Sequence, residues 1–413
     1  MAELGIAMGK GLQTDMQVAS TAKHFIAYSN NKGAREGFAR VDPQMSWREV
    51  ENIHAYPFTR VIQEAGILGV MSSYNDYDGF PIQSSYYWLT QRLRGTMGFR
   101  GYVVSDSDAV EYLYSKHKTA KDMKEAVRQS VEAGLNVRCT FRSPESYVLP
   151  LRELIQEGGL SMETIDNRVR DILRVKFLTG LFDTPYQTDL ALADKEVNSE
   201  AHQQVALQAS REGLVLLKNA NNLLPLDKSQ IKRIAVCGPN ADEASFALTH
   251  YGPVAVEVTT VLEGIKQQVK EGTKVTYTKG CDLVDTNWPE SEIISYPLTA
   301  EEKTEIQKAV DNVKESDVAV VVLGGGIRTC GENKSRTSLD LPGHQQQLLE
   351  AIVATGKPVV LVLINGRPLS INWQINLYRP FWRLVPWFAR RNSYCRSSLR
   401  RLQSGRKADC YLP

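Results

Sequence analysis

Short apolar runs alternate with amphipathic stretches along most of this chain, and that alternation narrows the possible folds more than any other feature. In the first half, STAKHFIAYS, GILGVMSSYN, GYVVSDSD and GLNVRCTF read as strands. Between them lie SWREVENIHAYPFTRVIQEAG, YWLTQRLRGTMG and AKDMKEAVRQSVEAG, whose apolar residues recur every three or four positions, as on one face of a helix. Several of these stretches end in Gly just before the next strand, a helix stop signal. Strands joined by helical crossovers run parallel, so the pattern predicts an α/β fold. A helix from Ser161 to Thr179 closes this half, and GLFDTPYQTDLALADKEVNSE, without clear period, reads as a linker over 181–200. A second alternation follows: a helix from Ala201 to Glu212, the run GLVLLKN, then strands RIAVCGPN, KVTYTKGC, DVAVVVLGGG and PVVLVLINGRP separated by helices. It reads as a doubly wound domain. The expected organisation is therefore a domain over 1–180, the linker, a second domain over 201–373 and a tail over 374–413.

In parallel sheets, functional groups gather outside the carboxyl ends of the strands. Lys23 and His24, Tyr74 and Asn75, and Asp106 and Asp108 all fall at or near such ends. Asp106 follows the buried-looking run Tyr102-Val-Val-Ser105, so its carboxylate stands where an apolar strand meets open space. An aspartate there also suits a phosphoacceptor or a helix N-cap, and Asp108 reads as such a cap. Lys23 in this position also suits Schiff-base chemistry.

Composition excludes several classes. The chain has 413 residues, enough for two cores. No apolar run approaches the length of a membrane span. The opening MAELGIAMGKGLQ reads as a helix under way and lacks the basic and apolar regions of a secretory signal. The formal net charge of +2 is unevenly spread: from Gln374 onward eight Arg and one Lys face only Asp409, giving +8, so the preceding 373 residues carry 2 − 8 = −6. A mildly acidic body without a basic stripe argues against nucleic acid. Cys139, Cys237, Cys281, Cys330, Cys395 and Cys410 form no CxxC pair, and the histidines His54, His117, His202, His250 and His344 are isolated, so neither a metal site nor a disulfide framework is indicated. LGGGIRTCG lacks the GK[ST] and GxGxxG patterns of nucleotide loops. The Arg- and Trp-rich tail has no helical or strand period; it reads as an out-of-frame end foreign to the fold, or else as a basic tail for a polyanion.

Three motifs stand in order: AKHF (22–25), GYVVSD (101–106) and GENKSRTSLDLPG (331–343), the last followed by PVVLVLINGRPL. Together they resemble glycoside hydrolase family 3, the β-glucosidase and β-xylosidase group, over residues 1 to about 373. The resemblance implies a TIM-like barrel followed by an α/β sandwich, with the active site between them. It implies that Asp106 is the nucleophile, that Lys23 and His24 hydrogen-bond sugar hydroxyls, and that Tyr74 lies near the nucleophile. Glu332, four residues before Arg336, takes the place of the acid/base, with Ser335 where the family usually has aspartate. Arg35 matches a sugar-contacting arginine, although NNKGAR is spaced differently from the family pattern. No cofactor or metal is implied, and the partner is a β-linked oligosaccharide. Relatives of this type are commonly periplasmic or secreted, and this chain's compartment is left open.

The chemistry that follows is retaining glycoside hydrolysis: one ionised carboxylate attacks the anomeric carbon and one protonated carboxyl donates to the leaving oxygen. Lys23, His24 and Tyr74 are candidates to keep the nucleophile charged. Gly324, Gly325, Gly326 and Gly331 suggest a mobile loop around Glu332, which would bring it to roughly 5 Å from Asp106 when sugar is bound. The expected activity is removal of terminal non-reducing β-D-glucosyl residues. SDSDAV leans instead towards β-xylosidases, and a non-catalytic carbohydrate-binding fragment is the alternative of another class. Two departures stand out. The family's earlier barrel strands and an upstream sugar-binding aspartate have no counterpart before Lys23, and the tail replaces further sandwich structure. The chain therefore reads as an internal fragment of a longer enzyme, expected to be weakly stable or inactive.

Overall fold

The three expected strands that carry the KHF, SYN and SDSD motifs form one parallel sheet. In this computed structural model, which describes residues 1–29, 42–184, 189–245, 258–269, 271–331, 334–370 and 381–385, they are β1 (Thr21–Phe25), β2 (Gly69–Ser72) and β5 (Tyr102–Val104), in the order β1-β2-β5. Register pairs Ala22 with Val70, and Val70 with Val103. A two-stranded hairpin, β3 (Asp76–Tyr77) and β4 (Phe80–Pro81), follows β2. The chain divides into two compact units, Met1–Thr188 and Asp189–Pro413.

Helices cover the sheet of the first unit because the crossovers are amphipathic. The helical segment 47–65 begins at Ser46, whose hydroxyl accepts from the Glu49 amide at 3.2 Å. Asp122 caps the helix Met123–Ala133 in the same way, at 2.8 Å. Their apolar faces bury Val50, Ala55, Ile62, Ala126 and Ala133 against Phe25, Val70 and Val103 of the strands. Each fully buried aliphatic or aromatic side chain in this cluster contributes about 1.5–3 kcal/mol relative to exposure. The helices Glu145–Gln156 and Met162–Leu178 add a smaller cluster around Val127, Val131, Leu154 and Leu160.

The expected fourth strand, GLNVRCTF, reduces to a single bridge between Val104 and Val137. The reason lies in two departures from the ladder: the Cys139 amide donates to the Ser105 hydroxyl at 2.8 Å, and Arg138 turns its guanidinium inward to Glu111. Part of the expected linker is also ordered differently, because Leu190–Glu196 forms a helix capped by Asp189, which accepts from the Leu192 amide at 3.1 Å.

In the second unit, strands β6 (Val215–Asn219), β7 (Arg233–Cys237), β8 (Lys274–Thr278), β9 (Val318–Gly324), β10 (Val359–Ile364) and β11 (Phe381–Val385) form a sheet of order β6-β11-β10-β9-β7-β8. All neighbours are parallel except β6 against β11. Side chains alternate across it. Ala319, Val321 and Leu323 of β9 join one cluster with the helices Ala300–Lys314 and Gln345–Val353, while Val318, Val320 and Val322 join another with Val261 and Leu262. Both faces are covered, as a doubly wound sheet requires. Strand β11 lies within the tail where no strand period was legible; it completes the sheet between β10 and β6.

Candidate active site

Asp106 stands one residue beyond β5's last neighbour, Ser105, whose amide donates to the Val137 carbonyl at 2.8 Å. The chain then turns: the Ala109 amide donates to the Asp106 carbonyl at 3.1 Å, and the helix Ala109–Ser115 begins. Asp108 takes φ 58°, the left-handed region that aspartate tolerates better than most residues. The turn aims the Asp106 side chain back over the sheet end. One carboxylate oxygen, Oδ1, accepts from the Ser107 amide at 2.8 Å, and the other, Oδ2, lies 3.2 Å from His24 Nε2 on β1. The side chain retains 12% exposure, so a ligand atom can reach it.

The structure thus brings His24 and Asp106 together across three parallel strands. Lys23 is exposed and makes no ion pair with Asp106. Tyr74 is buried, and its phenol donates to the Ser107 carbonyl at 2.7 Å, holding the backbone of the Asp106 turn. Rings pack around it, Tyr28 at 5.9 Å and Tyr112 at 5.4 Å between centroids. Asp108 occupies the N-cap position but does not cap the helix with its side chain: Oδ1 accepts from the Thr140 hydroxyl at 2.6 Å, tying the turn to the irregular segment after Val137.

Several supporting residues escaped the sequence reading. Asp76 is fully buried and pairs with His117 at 2.6 Å, two residues beyond Tyr74. Glu111, in the first turn after Asp108, makes a buried ion pair with Arg138, whose Nε donates to Glu111 Oε1 at 3.0 Å and whose guanidinium lies over the Tyr147 ring. Burial there pushes the Tyr147 phenol up from its ordinary pKa. Arg94 donates to the Gly101 carbonyl at 3.1 Å and to Asn136 Oδ1 at 2.7 Å, and pairs with Asp171 at 3.0 Å, fixing the start of β5. Its burial lowers its pKa to about 10 despite the Asp171 charge. These partners lie from 27 to 77 residues apart in sequence for Glu111–Arg138 and Arg94–Asp171 (138 − 111 and 171 − 94), beyond any local pattern.

Glu332 and Arg35 lie outside the described residues. The segments on either side of residues 332 and 333 are described, and both are anchored within the second unit. Before them, Gln345 is buried and holds both backbone groups of Gly324, at 2.8 and 2.9 Å. The glycines there serve close approach: a Cβ on Gly324 would run into the Ile364 carbonyl, and one on Gly326 into Leu283. After them, Arg367 donates to the Lys334 carbonyl at 2.6 Å, and Arg336 forms a buried ion pair with Glu292. No group of three potential metal ligands occurs among the described residues, and no described helix is long and apolar enough to cross a membrane.

Residues 1–175 match the glycosyl hydrolase family 3 N terminal domain, and residues 214–379 match the glycosyl hydrolase family 3 C-terminal domain. The chain belongs to glycosyl hydrolase family 3. Among curated relatives of this family, a β-xylosidase of Formosa agariphila is 35% identical over 392 residues, covering 90% of this chain and 51% of the relative. A periplasmic β-glucosidase of Salmonella typhimurium is 35% identical over 378 residues, covering 88% of this chain and 48% of the relative. Among solved structures, a β-glucosidase from Erythrobacter marinus aligns with TM-score 0.84 at 31% identity, covering 96% of this chain and 54% of that one. A Listeria innocua β-glucosidase in complex with glucose aligns with TM-score 0.80 at 30% identity, covering 96% and 52%. The chain spans about half the length of these family members. Family membership accounts for the architecture of a TIM-like domain with an α/β sandwich, and the parallel sheets of the two units agree with it.

Proposed function

We propose that this chain carries the site of a retaining exo-β-glycosidase that removes terminal non-reducing β-D-glucosyl residues through a covalent glycosyl-enzyme intermediate. The observation that carries the reading is the setting of Asp106: a reachable carboxylate at a strand's carboxyl end, oriented by the Ser107 amide and His24. Such a group attacks the anomeric carbon as the protonated leaving oxygen departs from its opposite face. Its two donors hold the carboxylate in place, and neither neutralises it permanently, because an amide is uncharged and His24 is charged only when protonated. In this reading Tyr74 holds the turn, and Lys23 and Arg35 bind sugar hydroxyls. Glu332 protonates the leaving oxygen and then takes a proton from the water that releases the sugar, as microscopic reversibility requires. No metal or organic cofactor enters any step.

A second reading, β-xylosidase, is favoured by the Formosa agariphila relative and by the SDSDAV sequence around Asp106. The two differ at one substituent, the hydroxymethyl group on C5, so a comparison of kcat/KM on aryl β-glucoside and aryl β-xyloside separates them. A ratio above one supports the glucosidase, and a ratio below one the xylosidase. Sugar binding without turnover, unaffected by Asp106→Asn, would instead identify a carbohydrate-binding module and overturn both.

A further inference from the structure

Two stretches of the second unit, 285–296 and 336–347, line a cavity of about 210 Å³ that the glycosidase reading does not use. Asp285 is 6% exposed, and its Oδ1 accepts from the Asn287 amide at 2.8 Å; no cation pairs with it among the described residues. Glu292 and Arg336, also in the lining, form a buried ion pair, with the guanidinium over the Trp288 ring at 5.1 Å. His344 is 7% exposed and faces Glu302 through Nε2 at 3.4 Å. Its Nδ1, like the Ser291 hydroxyl, is buried without a hydrogen-bond partner among the described residues. The Trp288 and Tyr296 rings are half-buried, and Asp340 is exposed, so the cavity has a buried polar floor, aromatic walls and a wet rim. The two stretches are held together by backbone as well: Arg336 donates to the Asp340 carbonyl at 2.9 Å, and a Cβ on Gly343 would meet the Asp285 amide at 2.9 Å.

We propose that this cavity is a second carbohydrate site, taking a single neutral sugar unit, a pentose or a hexose. Its volume lies below the roughly 300–1,000 Å³ of sites for drug-sized ligands and suits one ring. Charge narrows the chemistry further. Glu292 and Arg336 cancel each other, whereas Asp285 and Asp340 are carboxylates without a cation among the described residues, so an anion is repelled. A divalent cation wants about six oxygen ligands, and no group of three potential metal ligands occurs among the described residues. An organic cation would meet a Trp288 ring that already carries a guanidinium. An apolar guest would strip water from Asp285 and offer it no hydrogen bond. A polyhydroxyl guest meets every condition: its hydroxyls donate to Asp285 and Asp340 in charge-assisted bonds, and its C–H face covers the half-buried rings. It also offers partners to the Ser291 hydroxyl and His344 Nδ1, whose unpaired state costs stability. This inference does not rest on the role assigned to Asp106.

The test reads Trp288 itself. The whole chain is prepared with 5-fluorotryptophan, and the fluorine resonance of Trp288 is assigned by its loss in Trp288→Phe. D-Xylose and D-glucose are each titrated to about 100 mM, with glycerol as the control polyol. At least one sugar is expected to shift that resonance saturably, with a dissociation constant of about 1–10 mM, as suits so small a ligand. Asp285→Asn is expected to weaken binding about tenfold or more, through loss of a charge-assisted hydrogen bond. Should Asp285→Asn fail to fold, Asp340→Asn on the exposed rim carries the test, with an expected weakening of about threefold or more. No saturable shift with either sugar, an equal shift with glycerol, or unchanged binding in the folded carboxylate variant overturns the proposal. In Asp106→Asn the Trp288 response is expected to stay the same; its loss there assigns the response to the Asp106 site and overturns a second one. An Asp106 that takes no glycosyl group contradicts the glycosidase reading and leaves this one standing.

Discussion

The carboxyl ends of β2 and β5 in the first unit carry polar side chains, whereas the carboxyl end of β9 in the second unit carries glycines. At and beyond the ends of β2 and β5 come Ser72, Ser73, Asp76, Ser105 and Asp106, all buried, together with the ion pairs of Asp76 with His117 and Glu111 with Arg138. At the end of β9 come Gly324, Gly325 and Gly326, whose backbone is held by Ile364, Asn240 and Gln345. Buried polar groups cost stability unless each is paired, so they persist where their chemistry is used. The second unit packs β9 and β10 with apolar side chains on both faces and holds the buried ion pair of Glu292 with Arg336 outside the sheet. The difference teaches that the two units serve the proposed reaction differently: one presents a carboxylate from a strand end, and the other holds a loop in place by its backbone.

The sharpest way to break this comparison is to remove the charge at the first sheet's end. Asp106→Asn is expected to lower kcat/KM on an aryl β-glucoside by roughly ten thousandfold or more with the fold intact, checked by steady-state kinetics and circular dichroism. Retained turnover would make the polar end a structural device. On the apolar side, burial pushes the thiols of Cys237 and Cys281 up to about 12. A raised thiol pKa means neutral thiol at pH 8, so their reaction with a disulfide reagent is expected to be about a thousandfold slower than that of an ordinary thiol. Among the four described cysteines, peptide mass should show the half-buried Cys139 and Cys330 modified before Cys237 and Cys281.

The next effect is thermodynamic. Glu111→Ala leaves the Arg138 guanidinium, 4% exposed, without its carboxylate, and is expected to cost about 3–5 kcal/mol in urea unfolding. Replacing both partners, Glu111→Leu with Arg138→Met, is expected to recover most of that loss. The smallest effect belongs to the surface: breaking the exposed Arg128–Glu132 pair with Glu132→Gln is expected to change stability by under about 1 kcal/mol, and less at high salt.

Much of the architecture was legible because strand and helix periods are local. The run DVAVVVLGGG announces β9 because four valines and the glycines that bound it favour a short strand, and its seven buried residues suit one covered on both faces. GLNVRCTF misled because its branched residues look like a strand, while Arg138 and Cys139 obey partners 27 and 34 residues away (138 − 111 and 139 − 105). The helix 190–196 escaped because seven residues carry too little periodicity. Asp106, His24 and Tyr74 were found through motifs; that His24 rather than Lys23 meets the carboxylate, and that Tyr74 holds backbone, depends on side-chain directions no motif encodes. Of the glycines read as freedom of movement, Gly324 and Gly326 also serve close approach to Ile364 and Leu283, whereas Gly331 takes φ 124° with only Lys334 as near as 4.0 Å. Glu292 carried no signal at all, because its meaning lies in Arg336, 336 − 292 = 44 residues away.

The account turns on which atom bonds to the sugar. Incubation of the chain with a 2-deoxy-2-fluoro β-glucoside bearing a strongly activated aryl leaving group, followed by proteolysis and peptide mass, reads that directly, because fluorine slows both steps while the leaving group keeps formation faster than release. The predicted result is a single added fluoroglycosyl group on the peptide containing Asp106, absent in Asp106→Asn. An adduct on any other residue, or one that forms equally in Asp106→Asn, would contradict it.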